Sequence, residues 1–285
     1  MPHPITLSDQ MRQALTKAEA QHKYDHGHAL ILSGGAGKGG AARLAARAAL
    51  RVGAGLVTLA CPPRALDENA AQLTAVMLTA LPDSFSLRGL LQDRRLTALL
   101  LGPGLGLARA QEMVPAALWG ARPTVLDADA LTAFEDDPGH LFTLLHPDVV
   151  LTPHLGEFAR LFPDLAAPLP GAGLDARVGA TAAAADRTGC TVLLKGAQTV
   201  IAAPGVEPSV HDATGARAAP WLATAGSGDV LAGLIAGLLA RGLQTVAAAS
   251  TATWLHAEAA RRFGPGLIAE DLPEQIPGLF RDLGL

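Results

Sequence analysis

Aromatic side chains are scarce: seven Phe, three Trp and one Tyr, 4% of 285 residues. Any core must therefore be assembled from small aliphatic side chains, and the 49% hydrophobic content is enough to build one. Cysteine is almost absent. Cys61 and Cys190 share no CxxC spacing and are too few for a disulfide framework, so both are expected to be buried thiols in a reducing compartment. Positive charge is not concentrated anywhere, and 22 basic against 26 acidic residues leave a net charge of −4. That balance excludes a nucleic-acid surface or a polybasic membrane contact. The longest apolar run, Val230 to Ala240, is too short to span a bilayer. The opening "MPHPITLSDQMRQAL" lacks the basic-then-apolar pattern of a secretory signal. The expectation is a cytoplasmic globular protein, with residues 1–285 forming one domain without internal repeats.

Short apolar runs alternate with helical patterns. Strands are expected at Ala29–Gly34, Leu56–Cys61, Ala75–Ala80, Thr97–Gly102, Thr124–Ala128, Asp148–Pro153, Thr191–Lys195 and Thr199–Ala203. Several are continuously apolar, as in parallel strands covered on both faces. Helices are expected at Gly40–Val52, Arg109–Trp119, Ala176–Arg187, Asp229–Arg241 and Thr245–Phe263. The Pro- and Gly-rich stretches Pro163–Gly173 and Ala203–Pro220 read as surface loops. This alternation predicts an α/β fold with a doubly wound, mainly parallel sheet and helices on both faces. Ligands would then bind outside the carboxyl ends of the strands.

The loops that follow strands therefore carry the chemistry. In "TAGSGD", the amides of Gly226, Ser227 and Gly228 would be free donors at the start of an apolar helix, an anion site. Asp229 follows in the first turn, where the helix field favours its ionised form and it could take a proton from a hydroxyl. The alternative is a glycine turn with an aspartate that merely suits the helix dipole. Gly233 and Gly237, four apart, would let this helix pack closely on the sheet. "SGGAGKGGA" has no Ser or Thr after its Lys and is not a Walker loop. "GPGLG" suits backbone contact with a flat or phosphorylated ligand. In "VLDADAL", Asp127 and Asp129 end a strand, with Asp129 read as a helix cap. In "TPHLGEFARL", His154 and Glu157 lie on one helix face, so Glu157 either holds magnesium through water or completes a capping box. In "LLKGAQTVI", Lys195 could reach a phosphate and Thr199 a ribose, unless Lys195 is simply solvent-exposed. The other histidines, His256 among them, show no metal-ligand spacing. A nucleotide, magnesium and an ionised aspartate on successive strand ends point to phosphoryl transfer onto a hydroxyl.

With these motifs in this order, the sequence resembles the ADP/ATP-dependent NAD(P)H-hydrate dehydratases of the ribokinase-like superfamily over nearly its whole length. The resemblance implies dehydration of the S-form of NADH or NADPH hydrate, by phosphorylation of the ring hydroxyl and elimination of phosphate. It makes Asp229 the base and Gly226–Gly228 the anion hole. Ala41, Gly104 and His154, with Asp229, would bind the hydrate. Lys195, Gly196, Ala197, Gln198, Thr199 and Gly228 would bind ADP or ATP, with Mg2+ as cofactor and the bacterial-type preference for ADP. A tetramer is implied, as is a separate epimerase acting on the same metabolite. Three departures stand out: "AAPWLATAG" at Ala218–Gly226 in place of "GNPGMATAG", Leu155 in place of proline, and Ser33 in place of glycine. The rivals are a ribokinase-like kinase for a small alcohol of the hydroxymethylpyrimidine or thiazole type, and a catalytically silent nucleotide-binding sensor. His154, standing where those kinases carry asparagine, favours the dehydratase, and Asp229 counts against the sensor.

Overall fold

The computed structural model describes residues 2–285. Its ten strands are β1 (His3–Pro4), β2 (His28–Leu32), β3 (Leu56–Cys61), β4 (Met77–Ala80), β5 (Ala98–Leu101), β6 (Thr124–Leu126), β7 (Val149–Leu151), β8 (Thr191–Leu194), β9 (Gln198–Ala203) and β10 (Val206–Asp212). They form one sheet in the order β1-β10-β9-β8-β7-β6-β5-β2-β3-β4. From β4 to β8 every pairing is parallel, while β9 runs antiparallel to both β8 and β10. The sheet is α/β and mainly parallel, as the alternation of motifs predicts.

All eight expected strands are present. The reading of Ala203–Pro220 as a loop is corrected, because β10 occupies Val206–Asp212 and pairs with β9 in register from Val210↔Val200 to Asp212↔Gln198. Its alternation is weak, interrupted by Pro208 and a register shift between Val206 and Ser209, which hides it from a periodicity count. Pro163–Gly173 likewise begins with a helical turn, Pro163–Ala166.

Two apolar cores sandwich the sheet. One is built with the helices Gly40–Arg51, Ser227–Ala240, Thr245–Phe263 and Asp271–Asp282, the other with Leu107–Leu118, Leu155–Leu161 and Leu174–Thr188. Helix Ser227–Ala240 is buried all round from Val230 to Ala240. Gly233 and Gly237 face helix Gly40–Arg51 rather than the sheet: a Cβ on Gly233 would stand 2.2 Å from the Ala45 carbonyl oxygen, and one on Gly237 2.7 Å from that of Ala49. An alanine-rich helix can approach that closely because it carries no bulk on the facing side. Both cysteines are buried, and burial pushes the Cys190 thiol up to about 12. Among the described residues no helix is long and apolar enough to cross a membrane.

Strand order reverses between β2 and β5, because the chain builds outward through β3 and β4, then returns to the other side of β2. The loops leaving β2 and β5 thus open a crevice at the carboxyl ends of the strands.

Candidate functional site

Those two loops meet. A Cβ on Gly34 would overlap the Gly104 carbonyl at 1.9 Å, and one on Gly104 would come within 3.5 Å of the Ala41 Cβ. Gly104 has φ +63°, a conformation that favours glycine. The structure therefore joins the expected hydrate residues Ala41 and Gly104 across the crevice, with Ser33 fully buried beneath them.

A second cluster forms further along the strand ends. Asp127 leaves β6, Lys195 leaves β8, and β7 lies between them, roughly 10 Å of sheet that the lysine stem must cross. Lys195 Nζ reaches Asp127 Oδ1 at 2.6 Å and lies 3.9 Å from Glu157 Oε2. Burial alone would lower the lysine pKa, but Asp127 and Glu157 together hold it above its ordinary value. The solvent-exposed reading of Lys195 is corrected, since its side chain is 18% exposed. Asp127, 1% exposed, was visible as a strand-end carboxylate but acquires a role only through this pairing.

His154 and Glu157 form a complete capping box. The His154 Nδ1 accepts from the amides of Gly156 and Glu157, and Glu157 Oε2 accepts from the His154 amide at 2.8 Å. The His154 Nε2 lies 3.4 Å from Glu157 Oε1, and the rest of the ring is open to solvent, its side chain 55% exposed. Burial pushes the Glu157 carboxyl up, opposed by Lys195.

Asp229 stands in the first turn of helix Ser227–Ala240, whose cap Gly226 has φ +88°. A Cβ on Gly228 would lie 3.3 Å from Lys195 Nζ, so the lysine ammonium sits beside this helix start. The expectation of three free amides is corrected at Ser227, whose N–H donates to the Thr224 carbonyl at 3.4 Å. The helix field was expected to favour ionised Asp229. Burial outweighs it: desolvation first, then the negative charge of Asp127, lift Asp229 to about 7, with Lys195 pulling the other way. A carboxyl at that value is a stronger base than a surface aspartate and is still half ionised at neutral pH.

Asp129 does not cap its own helix. Its Oδ2 accepts the Gly106 amide at 2.8 Å and ties the "GPGLG" loop to the carboxylate cluster. Between them Ala128 adopts φ +46°, and a Cβ on Gly102 would meet the Asp127 carbonyl at 1.7 Å. This strained crossing sets Asp127 on Lys195 Nζ and Asp129 on the Gly106 amide, with the charge of both raising the Asp229 pKa.

The turn Lys195–Gln198 is held from outside by Arg177, which donates to the carbonyls of Leu194, Lys195 and Gln198 at 3.1, 2.6 and 2.9 Å. Nothing in the spacing of Arg177 signals this, because it lies within the ordinary helix Leu174–Thr188. The Thr199 hydroxyl donates to the Gly196 carbonyl at 2.9 Å and is committed to the turn. Gln198 donates to Asp212, while Gly196 and Ala197 are exposed at the tip. Of the departures, Leu155 and Trp221 point outward, 43% and 46% exposed.

Among the described residues no three His, Cys, Asp or Glu side chains converge as a metal site. The hard oxygen donors near Asp229 are Asp127, Asp129 and Glu157, and an ammonium already faces Asp127 and Glu157. That donor set suits a magnesium ion that keeps its water shell and draws direct ligands from phosphate, not one caged by protein.

Comparison with known proteins agrees with this layout. The sequence profile of a family described as NAD(P)H-hydrate dehydratase matches residues 29–276. A bifunctional NAD(P)H-hydrate repair enzyme of Moorella thermoacetica is 39% identical over 95% of this chain and 53% of its own length. One from Mycobacterium tuberculosis is 41% identical over 80% of this chain and 44% of its own. The chain thus spans about half the length of the curated relatives it matches. In three dimensions it superposes on the ADP/ATP-dependent NAD(P)H-hydrate dehydratase of Bacillus subtilis, co-crystallised with ATP and Mg2+, with a TM-score of 0.79, 27% identity and 99% of each chain covered. A ribokinase-like superfamily protein of Enterococcus faecalis gives 0.80 at 26% identity, covering 97% of this chain and 95% of its own. The fold is ribokinase-like, and the chain belongs to the NAD(P)H-hydrate dehydratase family.

Proposed function

We propose that this protein restores hydrated NADH or NADPH to the reduced dinucleotide, with ADP or ATP as phosphoryl donor. The observation that carries the reading is Asp229, a carboxyl with a pKa near 7 placed at a helix start whose amides and the neighbouring Lys195 ammonium favour phosphate.

The hydrate would lie in the crevice against Ala41 and Gly104, with the exposed edge of His154 closing one side. The nucleotide would run along the turn Lys195–Thr199, its terminal phosphate directed at Gly226, Ser227 and Gly228. Asp229 accepts the proton of the ring hydroxyl as its oxygen attacks that phosphorus, and the P–O bond to the leaving nucleotide breaks. Developing charge on the transferring group meets preformed donors that need no reorganisation. The phosphate ester then leaves from the ring with its bonding electrons while the neighbouring carbon loses a proton, which regenerates the double bond. ADP is thereby converted to AMP and inorganic phosphate. Magnesium on the nucleotide, held through water by Glu157, would neutralise phosphate charge during the transfer. Bacterial-type members favour ADP, and ADP is the donor proposed here, in a cytoplasmic homotetramer.

The test mixes purified protein with NADH hydrate, magnesium and either nucleotide, and follows the reduced-nicotinamide absorbance. Recovery with wild type and none with Asp229→Asn supports the reading. Nucleotide turnover on a small alcohol without recovery of NADH replaces it with a kinase.

A further inference from the structure

One buried polar group lies just behind the phosphate corner. His256, on helix Thr245–Phe263, is 8% exposed, and its Nε2 stands 2.9 Å from the carbonyl oxygen of Ser227. A carbonyl only accepts, so the nitrogen that faces it carries the proton. Burial also pulls the imidazole down to about 4, so the ring is neutral at physiological pH with its proton on Nε2.

The Ser227 carbonyl shares a peptide plane with the amide of Gly228. In a trans peptide the N–H and C=O point in opposite directions. A hydrogen bond received by the oxygen on one side draws electron density from the nitrogen on the other and strengthens the amide as a donor. Ser227 is anchored a second time, through Oγ donating to the Leu222 carbonyl at 2.7 Å. The plane is thus held at its carbonyl and at the Ser227 side chain, and its amide belongs to Gly228, the residue whose Cβ position lies 3.3 Å from Lys195 Nζ.

We propose that His256 is a positioning residue for phosphoryl transfer, holding and polarising the Ser227–Gly228 peptide so that the Gly228 amide is aimed at the transferring group. The proposal rests on the dehydratase reading above and adds to it a residue that touches neither substrate nor nucleotide. A donor tuned toward charge that grows during the transfer acts on kcat more than on nucleotide binding.

The test uses His256→Leu, which removes the donor, and His256→Gln, whose amide NH2 can reach the place of Nε2. Expected are a loss of about tenfold or more in kcat for His256→Leu with KM for ADP changed by less than about twofold, and recovery of most of that loss in His256→Gln. The Gly228 amide proton is expected to shift upfield in His256→Leu and to return in His256→Gln, in apo protein. Nitrogen-15 spectra of the wild-type imidazole are expected to place the proton on Nε2 at neutral pH. That last readout needs no variant to fold. A proton on Nδ1, an imidazolium at neutral pH, a folded His256→Leu with wild-type kcat, or a His256→Gln as impaired as His256→Leu each overturns the proposal. If wild type fails to regenerate NADH at all, the functional reading has failed, and the tautomer and the amide shift still decide whether His256 polarises this peptide.

Discussion

Lys195 Nζ stands 2.6 Å from Asp127 Oδ1 and within van der Waals reach of where Gly228 would carry a side chain. A single ammonium therefore pairs with a buried carboxylate and lies beside the start of helix Ser227–Ala240 at once. In the proposed reaction, the lysine would meet phosphate with its charge, its position and its partner already set.

Removing either member should reveal that dependence. Lys195→Met leaves Asp127 buried without its counter-ion, and Asp127→Asn leaves the lysine with only the weaker influence of Glu157 and Asp229. Breaking a buried pair costs about 3–5 kcal/mol, whereas replacing both members can be nearly neutral. Urea denaturation of the two single variants and of the double variant should show both singles destabilised and the double less so than their sum. Equal, additive losses would mean that the pair is not coupled.

The pH dependence of turnover should report Asp229. Its carboxyl, raised to about 7 by burial and by Asp127, is protonated and idle as a base below that value. The kcat/KM for the hydrate should rise through about pH 7 and level off above it. Asp229→Asn should lose about 10²-fold to 10⁴-fold and show no such rise. A wild-type profile flat from pH 5 to pH 8 would remove Asp229 from that role.

The same shift makes Asp229 a burden on stability. Its folded pKa lies above the unfolded value of about 3.9, so folding favours the protonated form. The contribution is fully present below about pH 3.9 and is lost as pH rises through about 7. By about pH 8 ionised Asp229 costs up to about 4 kcal/mol, a ceiling because solvent reaches the group. Asp229→Asn should therefore melt higher than wild type at pH 8, by an increment that shrinks as the pH falls toward 4. Differential scanning calorimetry across that range measures it.

Helix packing offers a sharper contrast. Gly233→Ala would drive a methyl into the backbone of Ala45, 2.2 Å from its oxygen, and should lower stability by about 1–3 kcal/mol or more. Gly179, mid-helix in Leu174–Thr188, has nothing within 4 Å of its missing Cβ. Gly179→Ala should stabilise by about 0.5–1 kcal/mol. Thermal melts of the two variants should move in opposite directions.

The alternation of apolar runs was enough to read the parallel sheet, because strands buried on both faces carry unbroken Val, Leu and Ala. It was not enough for β10, a strand near the sheet edge with a proline and a register shift, or for β1, two residues long. At the site, Asp229 and its glycines announce themselves because backbone geometry at a helix start demands particular residues. Lys195 could be named but not placed: whether a lysine closing a strand meets water or a carboxylate depends on what ends the strand two positions away in the sheet. Arg177 and His256 were invisible for a related reason. Each acts on backbone carbonyls across a tertiary contact, and no local spacing encodes that.

The group assembled around Asp229 draws on residues 127, 157, 195 and 229, which follow the neighbouring strands β6, β7 and β8 or open a late helix, with Glu157 in the helix after β7. No two of these four are local in the chain. During refolding, this cluster cannot exist until β6, β7 and β8 have paired and helix Ser227–Ala240 has locked onto helix Gly40–Arg51. Recovered turnover would then lag the recovery of helical signal, and enzyme activity would serve as a clock for the last long-range contacts to close.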